Sequence, residues 1–191
     1  MKRCLAVSLL LLTICALAYS QEHSQPNASA PPNKSAPNKS APSEQLATTF
    51  NSELGRFSIL MPTTPTESIS KTDSEHGPYT SYTYIAKGQS VYAIGWVDYD
   101  PTFNFNRIGE LEANRDNLIK GLKATLVSTK TLTLDGYQAI EFTAETAEQS
   151  LKSRVYLVGR RPYQLLTVTK KGLDDSSNTD HFFASFKVRL Q

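Results

Sequence analysis

The sequence predicts an α+β domain in which helices pack on an antiparallel β-sheet, and three observations support this fold class. Strand candidates rich in Tyr, Thr and Val follow one another with short turn signals between them, and strands joined by short turns pair antiparallel. One segment instead repeats apolar residues at spacings of three and four, which is typical of an amphipathic helix. No repeat with a period of roughly 20 to 50 residues occurs, so the pattern does not indicate a solenoid.

The start of the chain, residues 1–20, is predicted to be a cleaved signal peptide. Two basic residues open it, an uncharged apolar run follows at 5–17, and small residues then allow cleavage after Ala18 or Ser20. The apolar run is shorter than the roughly 20 residues that a membrane-spanning helix needs. We therefore expect an exported protein, periplasmic or secreted, with no transmembrane span after signal removal.

A bacterial lipoprotein is the alternative interpretation of this segment, with Cys15 as the modified residue. Lipoprotein signals place a small residue before the cysteine, whereas Ile14 stands there, so the sequence favours an ordinary signal peptide. The other cysteine, Cys4, also precedes the cleavage site. A mature chain without thiols excludes disulfides, cysteine nucleophiles, thiolate-bound zinc and iron–sulfur clusters, and we expect no cofactor.

The charge balance argues against nucleic acid as a partner. The chain carries 20 basic and 18 acidic residues, and removal of Lys2 and Arg3 with the signal leaves 18 of each. Nucleic-acid-binding domains show a clustered basic excess, and none is visible here. A polybasic patch that would bind an anionic membrane surface is also missing from the sequence.

Residues 21–45 are predicted to form a disordered linker ahead of a domain at 46–191. The linker consists mainly of Pro, Asn, Ser, Ala and Lys, and the pentad Pro-Asn-Lys-Ser-Ala occurs twice in tandem, from Pro32 and from Pro37. Such a segment buries too little apolar surface to offset the entropy of ordering it.

The first half of the domain is predicted to contain five strands. The turn Glu53-Leu54-Gly55 joins the first two, and Pro62 stops the second. His76-Gly77-Pro78 breaks the chain before the fourth strand, and Lys87-Gly88-Gln89 reads as a hairpin turn before the fifth. The predicted strands are 48–52, 57–61, 66–71, 79–86 and 90–99.

One long helix is predicted after these strands, with Asn106 as its N-cap. Its stripe at helical spacing consists of Ile108, Leu111, Arg115, Leu118, Ile119, Leu122 and Leu126. Charged residues, Glu110 among them, are expected to lie off this stripe and to face solvent.

The last third is predicted to be a meander of strands that ends in a short helix. Asp135-Gly136 is a tight-turn signal between the first two strands, and 159–162 forms the turn between the next two. The predicted strands are 130–134, 137–145, 151–158, 163–169 and 186–190, with the short helix at 179–185.

Strand parity suggests one face on which a ligand could bind. Side chains alternate between the faces of a sheet, and this alternation puts Trp96 with Asp98, and Arg154 with Tyr156, on shared faces, with Glu141 on the neighbouring strand. Aromatic and charged side chains on a concave face would suit a small polar or aromatic ligand. The alternative is that aromatic stems cover the sheet and that Arg154 and Glu141 form an ordinary cross-strand ion pair.

Arg160 and Arg161 stand at a predicted hairpin tip, where they could meet an anion or a protein partner. The alternative is a solvated turn without a partner.

No catalytic or metal-binding motif accompanies these residues. The two histidines of the domain, His76 and His181, are far apart in sequence and have no cysteine to join them in a zinc site. Motifs for serine hydrolases, zinc proteases and nucleotide binding are absent from the sequence. We expect no catalytic residues, no metal site and no enzymatic activity.

A set of short motifs resembles small exported bacterial proteins, many of unknown function, related to the PsbP/Mog-like superfamily. The similarity spans most of 46–191, and its motifs are structural in character. The residues that carry it are Phe57-Ser58-Ile59-Leu60-Met61-Pro62, Val97-Asp98-Tyr99, Leu134-Asp135-Gly136-Tyr137, Glu141-Phe142, Arg154-Val155-Tyr156-Leu157-Val158-Gly159, Arg161, Tyr163-Gln164-Leu165 and Phe182-Phe183-Ala184-Ser185-Phe186.

The resemblance implies an α/β/α sandwich, in which an antiparallel sheet lies between helices. It also implies a non-enzymatic role in binding or assembly. Plant photosystem relatives are extrinsic lumenal subunits and yeast-like relatives bind a small GTPase, and neither role carries over to this sequence. The metal-binding histidines of the photosystem relatives have no match in His76 or His181.

Together these observations predict an exported, non-catalytic domain that binds a protein partner or a small ligand in the cell envelope. Two alternatives stay open. One is an unrecognised hydrolase that uses Asp180 and His181, and the other is a carrier of a small apolar molecule in a pocket near Trp96.

Overall fold

The computed structural model describes residues 48–189, and the predicted signal peptide, 1–20, and linker, 21–45, lie outside the described residues. The described part contains, in chain order, β1 Thr48–Ser52, β2 Phe57–Met61, β3 Thr66–Ser74, β4 Gly77–Lys87, β5 Val91–Tyr99, α1 Arg107–Leu122, β6 Thr125–Leu134, β7 Tyr137–Glu145, β8 Gln149–Val158, β9 Arg161–Lys170, α2 Ser176–Ser185 and β10 Lys187–Val188. No helix within 48–189 combines the length and the apolar character needed to cross a membrane.

The strands form two antiparallel sheets. Seven strands make the large sheet, in the order β3-β4-β5-β9-β8-β7-β6, and three make the small sheet, in the order β1-β2-β10. Every pairing in both sheets is antiparallel, as short turns between consecutive strands require. The predicted antiparallel α+β architecture is therefore confirmed.

Helix α1 covers one face of the large sheet, where it packs on β7, β8 and β9. The side chains on this face are mainly aliphatic, because alternate positions of each strand point toward the helix. The buried members of this core include Val97, Leu111, Leu118, Ile140, Phe142, Val155, Leu157 and Leu166.

The small sheet and α2 cover the opposite face of the large sheet. This second core is aromatic, and its buried members include Phe57, Tyr92, Trp96, Tyr156, Tyr163, Phe182, Phe183 and Phe186. The expected α/β/α sandwich is thus found only in part, because one outer layer is a helix and the other combines a small sheet with α2. On this side the β1–β2 hairpin covers the large sheet, because its apolar residues Phe57, Ile59 and Met61 all face that sheet.

The predicted helix is confirmed, but its two ends differ in how well the sequence defines them. At the start, the backbone N–H of Gly109 donates to Asn106 Oδ1 at 3.2 Å, so Asn106 caps the helix as predicted. At the end, Lys123 adopts a left-handed φ of 51° and the chain enters β6 at Thr125. Leu126 therefore lies in a strand, and its assignment to the helix stripe was wrong.

Glu110 was also assigned wrongly, because it lies on the buried side of α1 with only 7% of its surface exposed. Its carboxylate accepts hydrogen bonds from Tyr99 Oη and from Asn114 Nδ2, the latter at 3.0 Å. The Tyr99 hydroxyl on β5 helps to make burial of this charged residue possible, and the spacing within the helix alone does not reveal a partner on another element.

Candidate functional site

The predicted aromatic face exists but is covered. Trp96 and Tyr156 point to the same side of the large sheet, as parity predicted. Trp96 has no exposed surface, because Tyr82 stacks on its ring at 4.6 Å and Phe57 of the small sheet meets it edge-on at 5.7 Å. Trp96 and Tyr156 are therefore core residues, and the space beside Trp96 is filled by side chains rather than by a pocket for an apolar ligand.

Glu141 and Arg154 face each other on β7 and β8 and form a cross-strand ion pair. Arg154 Nε lies 2.9 Å from Glu141 Oε2, and Lys130 Nζ lies 2.7 Å from Glu141 Oε1. The Arg154 guanidinium also lies over the ring of Phe183, 5.1 Å from its centroid. The structure thus contains the cross-strand ion pair of the alternative interpretation.

The electrostatics of Glu141 follow from these contacts. Burial by itself disfavours the charged carboxylate, but the hydrogen bonds from Lys130 and Arg154 outweigh it, so the pKa of Glu141 lies below its ordinary value. The carboxylate therefore stays ionised at neutral pH and is fully engaged by two cations of the protein.

Asp98 and Arg161, which entered two separate predictions, contact each other in the structure. Arg161 Nε donates to Asp98 Oδ1 at 2.5 Å, and Trp96 Nε1 donates to Asp98 Oδ2 at 3.4 Å. Arg161 Nη1 also donates to the carbonyl oxygen of Leu54 at 3.2 Å. The ion pair links the end of β5 to the start of β9 and attaches the β1–β2 turn to both strands.

A cleft of about 600 Å³ opens beside this pair at the end of the aromatic core. The β1–β2 turn, the end of β5, the β8–β9 turn and the residue that follows β10 enclose it. We call it the arginine cleft, and its lining residues are Arg56, Val97, Asp98, Tyr99, Pro101, Val158, Arg160, Arg161, Tyr163, Val188 and Arg189.

The lining of the arginine cleft carries a strong positive excess, with four arginines against one carboxylate, Asp98. Three of the four guanidinium groups have partners within the protein. Arg161 binds Asp98, Arg189 Nη1 lies 3.1 Å from Glu53 Oε1, and Arg160 Nη2 donates to the carbonyl of Phe103 at 3.0 Å. Arg160 and Arg161, which were predicted as a pair, thus line one cleft, and the Arg160 guanidinium is bound to the loop after β5.

Arg56 differs from the other three arginines. Among the residues that the structure describes, no carboxylate forms an ion pair with its guanidinium, and its side chain is exposed to the cleft. Its backbone has a φ of 53°, which falls in the left-handed region. Neither Arg56 nor Arg189 stands out in the sequence, because only the pairing of β10 with β2 brings residue 189 beside residue 56.

The charges of the cleft are stable at physiological pH. Burial opposes the Arg161 cation, but the Tyr163 hydroxyl and the Asp98 carboxylate outweigh this effect, so the pKa of Arg161 lies above its ordinary value. Burial raises the pKa of Tyr163, although the neighbouring Arg161 cation opposes the rise. The cleft therefore presents fixed cations and a neutral tyrosine.

The residues considered for catalysis and for a metal lie elsewhere. Asp180 accepts a hydrogen bond from Lys152 Nζ at 2.9 Å, and His181 is exposed on α2. His76 lies in the turn between β3 and β4, where its Nε2 is 3.5 Å from Glu75 Oε1. Within residues 48–189, no group of three or more histidine, cysteine, aspartate or glutamate side chains is placed to hold a metal ion.

Comparisons with known proteins bear on the fold. No family model and no curated protein matches the sequence. The solution structure of cyanobacterial PsbP (CyanoP) from Synechocystis sp. PCC 6803 matches with a TM-score of 0.50 at 12% identity, over 81% of this chain and 98% of that chain. A crystal structure from Bacteroides thetaiotaomicron VPI-5482 matches with a TM-score of 0.38 at 15% identity, over 77% of this chain and 50% of that chain. The chain has a PsbP-like fold, which confirms the fold that the sequence motifs indicated.

Proposed function

We propose that this chain is an exported, non-catalytic domain of the cell envelope that binds an anionic ligand or partner in the arginine cleft. The observation that carries the proposal is that four arginines from three segments of the chain line one cleft that contains a single carboxylate. The mature chain as a whole has no basic excess, so the local excess concentrates positive charge at one place on a neutral protein.

Arginine side chains are well suited to binding anions. A guanidinium is planar, stays charged at all physiological pH values and offers donors in a fork that matches the oxygens of a carboxylate or phosphate. Cations that line a concave surface of low dielectric focus their field into the cleft and raise the local concentration of anions. The attraction to an exposed cleft is screened by salt, so binding should weaken as ionic strength rises.

The proposed location rests on the predicted signal peptide. Its test is N-terminal sequencing of the protein isolated from cells. We expect the periplasmic or secreted protein to begin at residue 19 or 21, which are the positions that follow the two predicted cleavage sites. Recovery of the protein from the cytosol with its original N-terminus would contradict this part of the proposal.

The binding proposal is tested with the protein and a charge-reversed variant, Arg56→Glu with Arg189→Glu, as baits for the native envelope fraction. Both arginines are exposed and lie outside the two cores, so the variant is expected to fold, which circular dichroism checks. The matched control, Lys120→Glu with Lys123→Glu, makes the same change in net charge at exposed positions that do not line the cleft.

We expect the wild-type protein and the control to retain the same anionic component, and the cleft variant to lose it. Retention should also fall as salt is raised from 50 to about 200 mM, because the attraction is electrostatic. Equal retention by all three proteins would mean that the arginine cleft is not the binding site.

A further inference from the structure

We infer that the ligand of the arginine cleft is a small organic carboxylate with an apolar body, and that Arg56 is the residue that binds its carboxylate. This inference rests on the proposed function and specifies its ligand. The lining, the state of each guanidinium and the backbone of the β1–β2 turn each support one part of it.

The lining favours a ligand that is both charged and apolar. Between the arginines, the apolar part of the wall is formed by Val158, Val188 and Pro101. A small inorganic anion would use the cations and leave these apolar walls in contact with water. An organic anion would cover them and gain the free energy of removing apolar surface from water.

The state of each guanidinium identifies Arg56 as the group that meets the carboxylate. Arg161 and Arg189 already bind Asp98 and Glu53, and a ligand would have to compete with those carboxylates. Arg160 is held by the carbonyls of Asp100 and Phe103, to which its Nη2 donates. Arg56 is exposed to the cleft and forms no ion pair with a carboxylate of the described residues. Its donors are therefore available to form the bidentate contact that a carboxylate accepts.

The backbone at Arg56 is held in an unfavourable conformation. A left-handed φ of 53° is disfavoured for a residue with a Cβ, and glycine would adopt it without that penalty. Strained positions of this kind concentrate at ligand-binding sites. An arginine thus occupies a position that glycine would fill at lower cost.

Neighbouring contacts fix this turn before any ligand arrives. The N–H of Gly55 donates to Ser52 Oγ at 2.9 Å, and the Tyr163 hydroxyl donates to the carbonyl of Gly55 at 2.8 Å. The N–H of Arg189 donates to the carbonyl of Arg56, also at 2.8 Å. The main chain that carries the Arg56 side chain is thus ordered in advance, so binding has less conformational entropy to remove.

The size of the cleft favours a small molecule over a segment of a protein. A volume of about 600 Å³ lies within the range of small-molecule sites. A stable protein partner would need to cover roughly 800 Å² on each side, which requires a much wider surface. An acidic protein segment is therefore the alternative that the experiment must distinguish.

The test is titration of the isotope-labelled protein, followed by amide chemical shifts, with four probes at constant ionic strength. Benzoate is the apolar carboxylate, and benzamide is its neutral counterpart. Inorganic phosphate tests for an anion without an apolar body, and a hexaglutamate peptide with an amidated C-terminus tests for an acidic segment. We expect benzoate to shift the amides of Arg56, Val158 and Val188 in a saturable way, and the other three to bind at least about tenfold more weakly.

The variant Arg56→Gly separates a binding role from a structural role. Because glycine relieves the left-handed conformation, we expect the variant to unfold about 3 °C higher than the wild type. Benzoate affinity should nevertheless fall at least about tenfold, because the guanidinium is lost. The control Lys120→Gln, at an exposed position that does not line the cleft, should bind benzoate as the wild type does.

Three outcomes would overturn the inference. In the first, phosphate binds as tightly as benzoate. In the second, hexaglutamate binds in the cleft and benzoate does not. In the third, Arg56→Gly binds benzoate as tightly as the wild type does. The first two outcomes leave an anion-binding cleft in place and so leave the proposed function standing. Unchanged capture by the variant with Arg56→Glu and Arg189→Glu would instead remove the proposed function.

Discussion

Two buried glutamates lie on opposite sides of the large sheet and respond to pH in opposite directions. Glu141 belongs to the aromatic side, where Lys130 and Arg154 bind it. Glu110 belongs to α1 on the aliphatic side, where neutral groups bind it. Burial raises the pKa of both carboxyls, and the presence or absence of a cation decides the direction of the net shift.

Replacement of Glu141 by Gln is expected to destabilise the fold at neutral pH. The change leaves the Arg154 guanidinium without its carboxylate at a site where little of either side chain is exposed, so we expect a loss of about 2–3 kcal/mol in the free energy of unfolding. The control Lys130→Ala removes the more exposed partner and should cost less than about 1 kcal/mol. Urea unfolding at pH 7 measures both.

The pH dependence of this pair follows from the direction of its shift. Because the pKa of Glu141 is lower in the folded state, its contribution to stability is present above the unfolded-state pKa and is lost as pH falls through the folded-state pKa. The gap in stability between wild type and Glu141→Gln should therefore narrow below about pH 4. A gap that stays constant down to pH 2 would show that the charge of Glu141 does not support the fold.

Replacement of Glu110 by Gln should have the opposite effect. Burial raises the pKa of Glu110, so its contribution to stability is greatest below the unfolded-state pKa and declines as pH rises through the folded-state pKa. Glutamine is neutral, and its carbonyl can still accept from Tyr99 and Asn114. We expect Glu110→Gln to unfold at a higher temperature than the wild type at pH 8, with the difference disappearing near pH 4.

A matched control for this experiment is available on the same helix. Glu112 is exposed, so Glu112→Gln should change stability by no more than about 0.5 kcal/mol at either pH. A lower melting temperature for Glu110→Gln at pH 8 would mean that the ionised carboxylate, with its two donors, is the better partner for Tyr99.

At the scale of elements, α2 is attached to the large sheet by one buried hydrogen-bond cluster. The Tyr92 hydroxyl on β5 donates to Asp175, the residue before α2, and Asn178 Nδ2 donates to the other oxygen of that carboxylate at 2.7 Å. Burial, together with the Asp175 carboxylate, raises the pKa of Tyr92, so the hydroxyl stays protonated and acts as a donor. The cluster fixes the start of α2 over the aromatic core.

Removal of this hydroxyl in Tyr92→Phe is expected to lower the free energy of unfolding by about 1–2 kcal/mol, because the Asp175 carboxylate stays buried but loses one of its hydrogen-bond donors. Hydrogen exchange should accelerate in α2 more than in α1, since only α2 depends on the cluster. The control Tyr137→Phe removes a hydroxyl that has no hydrogen-bond partner among residues 48–189, and it should be neutral. Equal effects of the two substitutions would contradict the assigned role of Asp175.

Local patterns predicted most of these elements. The bounds of β2 and β7 match the sequence prediction, because a proline follows β2 and a tight turn precedes β7. The start of β6 was missed, since its first residues, Thr125 to Thr129, are exposed edge positions without an alternating apolar pattern. The predicted turn at 159–162 shortened to two residues, because Gly159 adopts a φ of 64° and allows a tight connection.

At the scale of the molecule, the site depends on contacts that no local pattern contains. The sequence suggested Asp98 and Arg161 separately, and the neighbouring positions of β5 and β9 place them together. Arg56 joins them only because the β1–β2 hairpin folds over the aromatic face, and Arg189 only because the last strand pairs with β2. The same packing turned the predicted binding face around Trp96 into a core.

The single tryptophan offers a test of whether the two cores fold as one unit. Trp96 has no exposed surface and contacts Phe57 of the small sheet, so its emission reports the packing of the small sheet on the large one. The neighbouring side chain, Val97, points from the same strand into the core under α1. Because β5, β7, β8 and β9 contribute side chains to both cores, loss of one core should expose the other, and we expect two-state unfolding.

We therefore expect the urea transitions followed by Trp96 emission and by helical circular dichroism to share one midpoint. The substitution Ile59→Val, which removes a methylene from the core beneath the small sheet, should lower the free energy of unfolding by about 1 kcal/mol by either signal. If Ile59→Val moves only the tryptophan transition, the small sheet detaches from a large sheet that stays folded with α1. The arginine cleft would then open without global unfolding, because Arg56 and Arg189 both belong to the part that detaches.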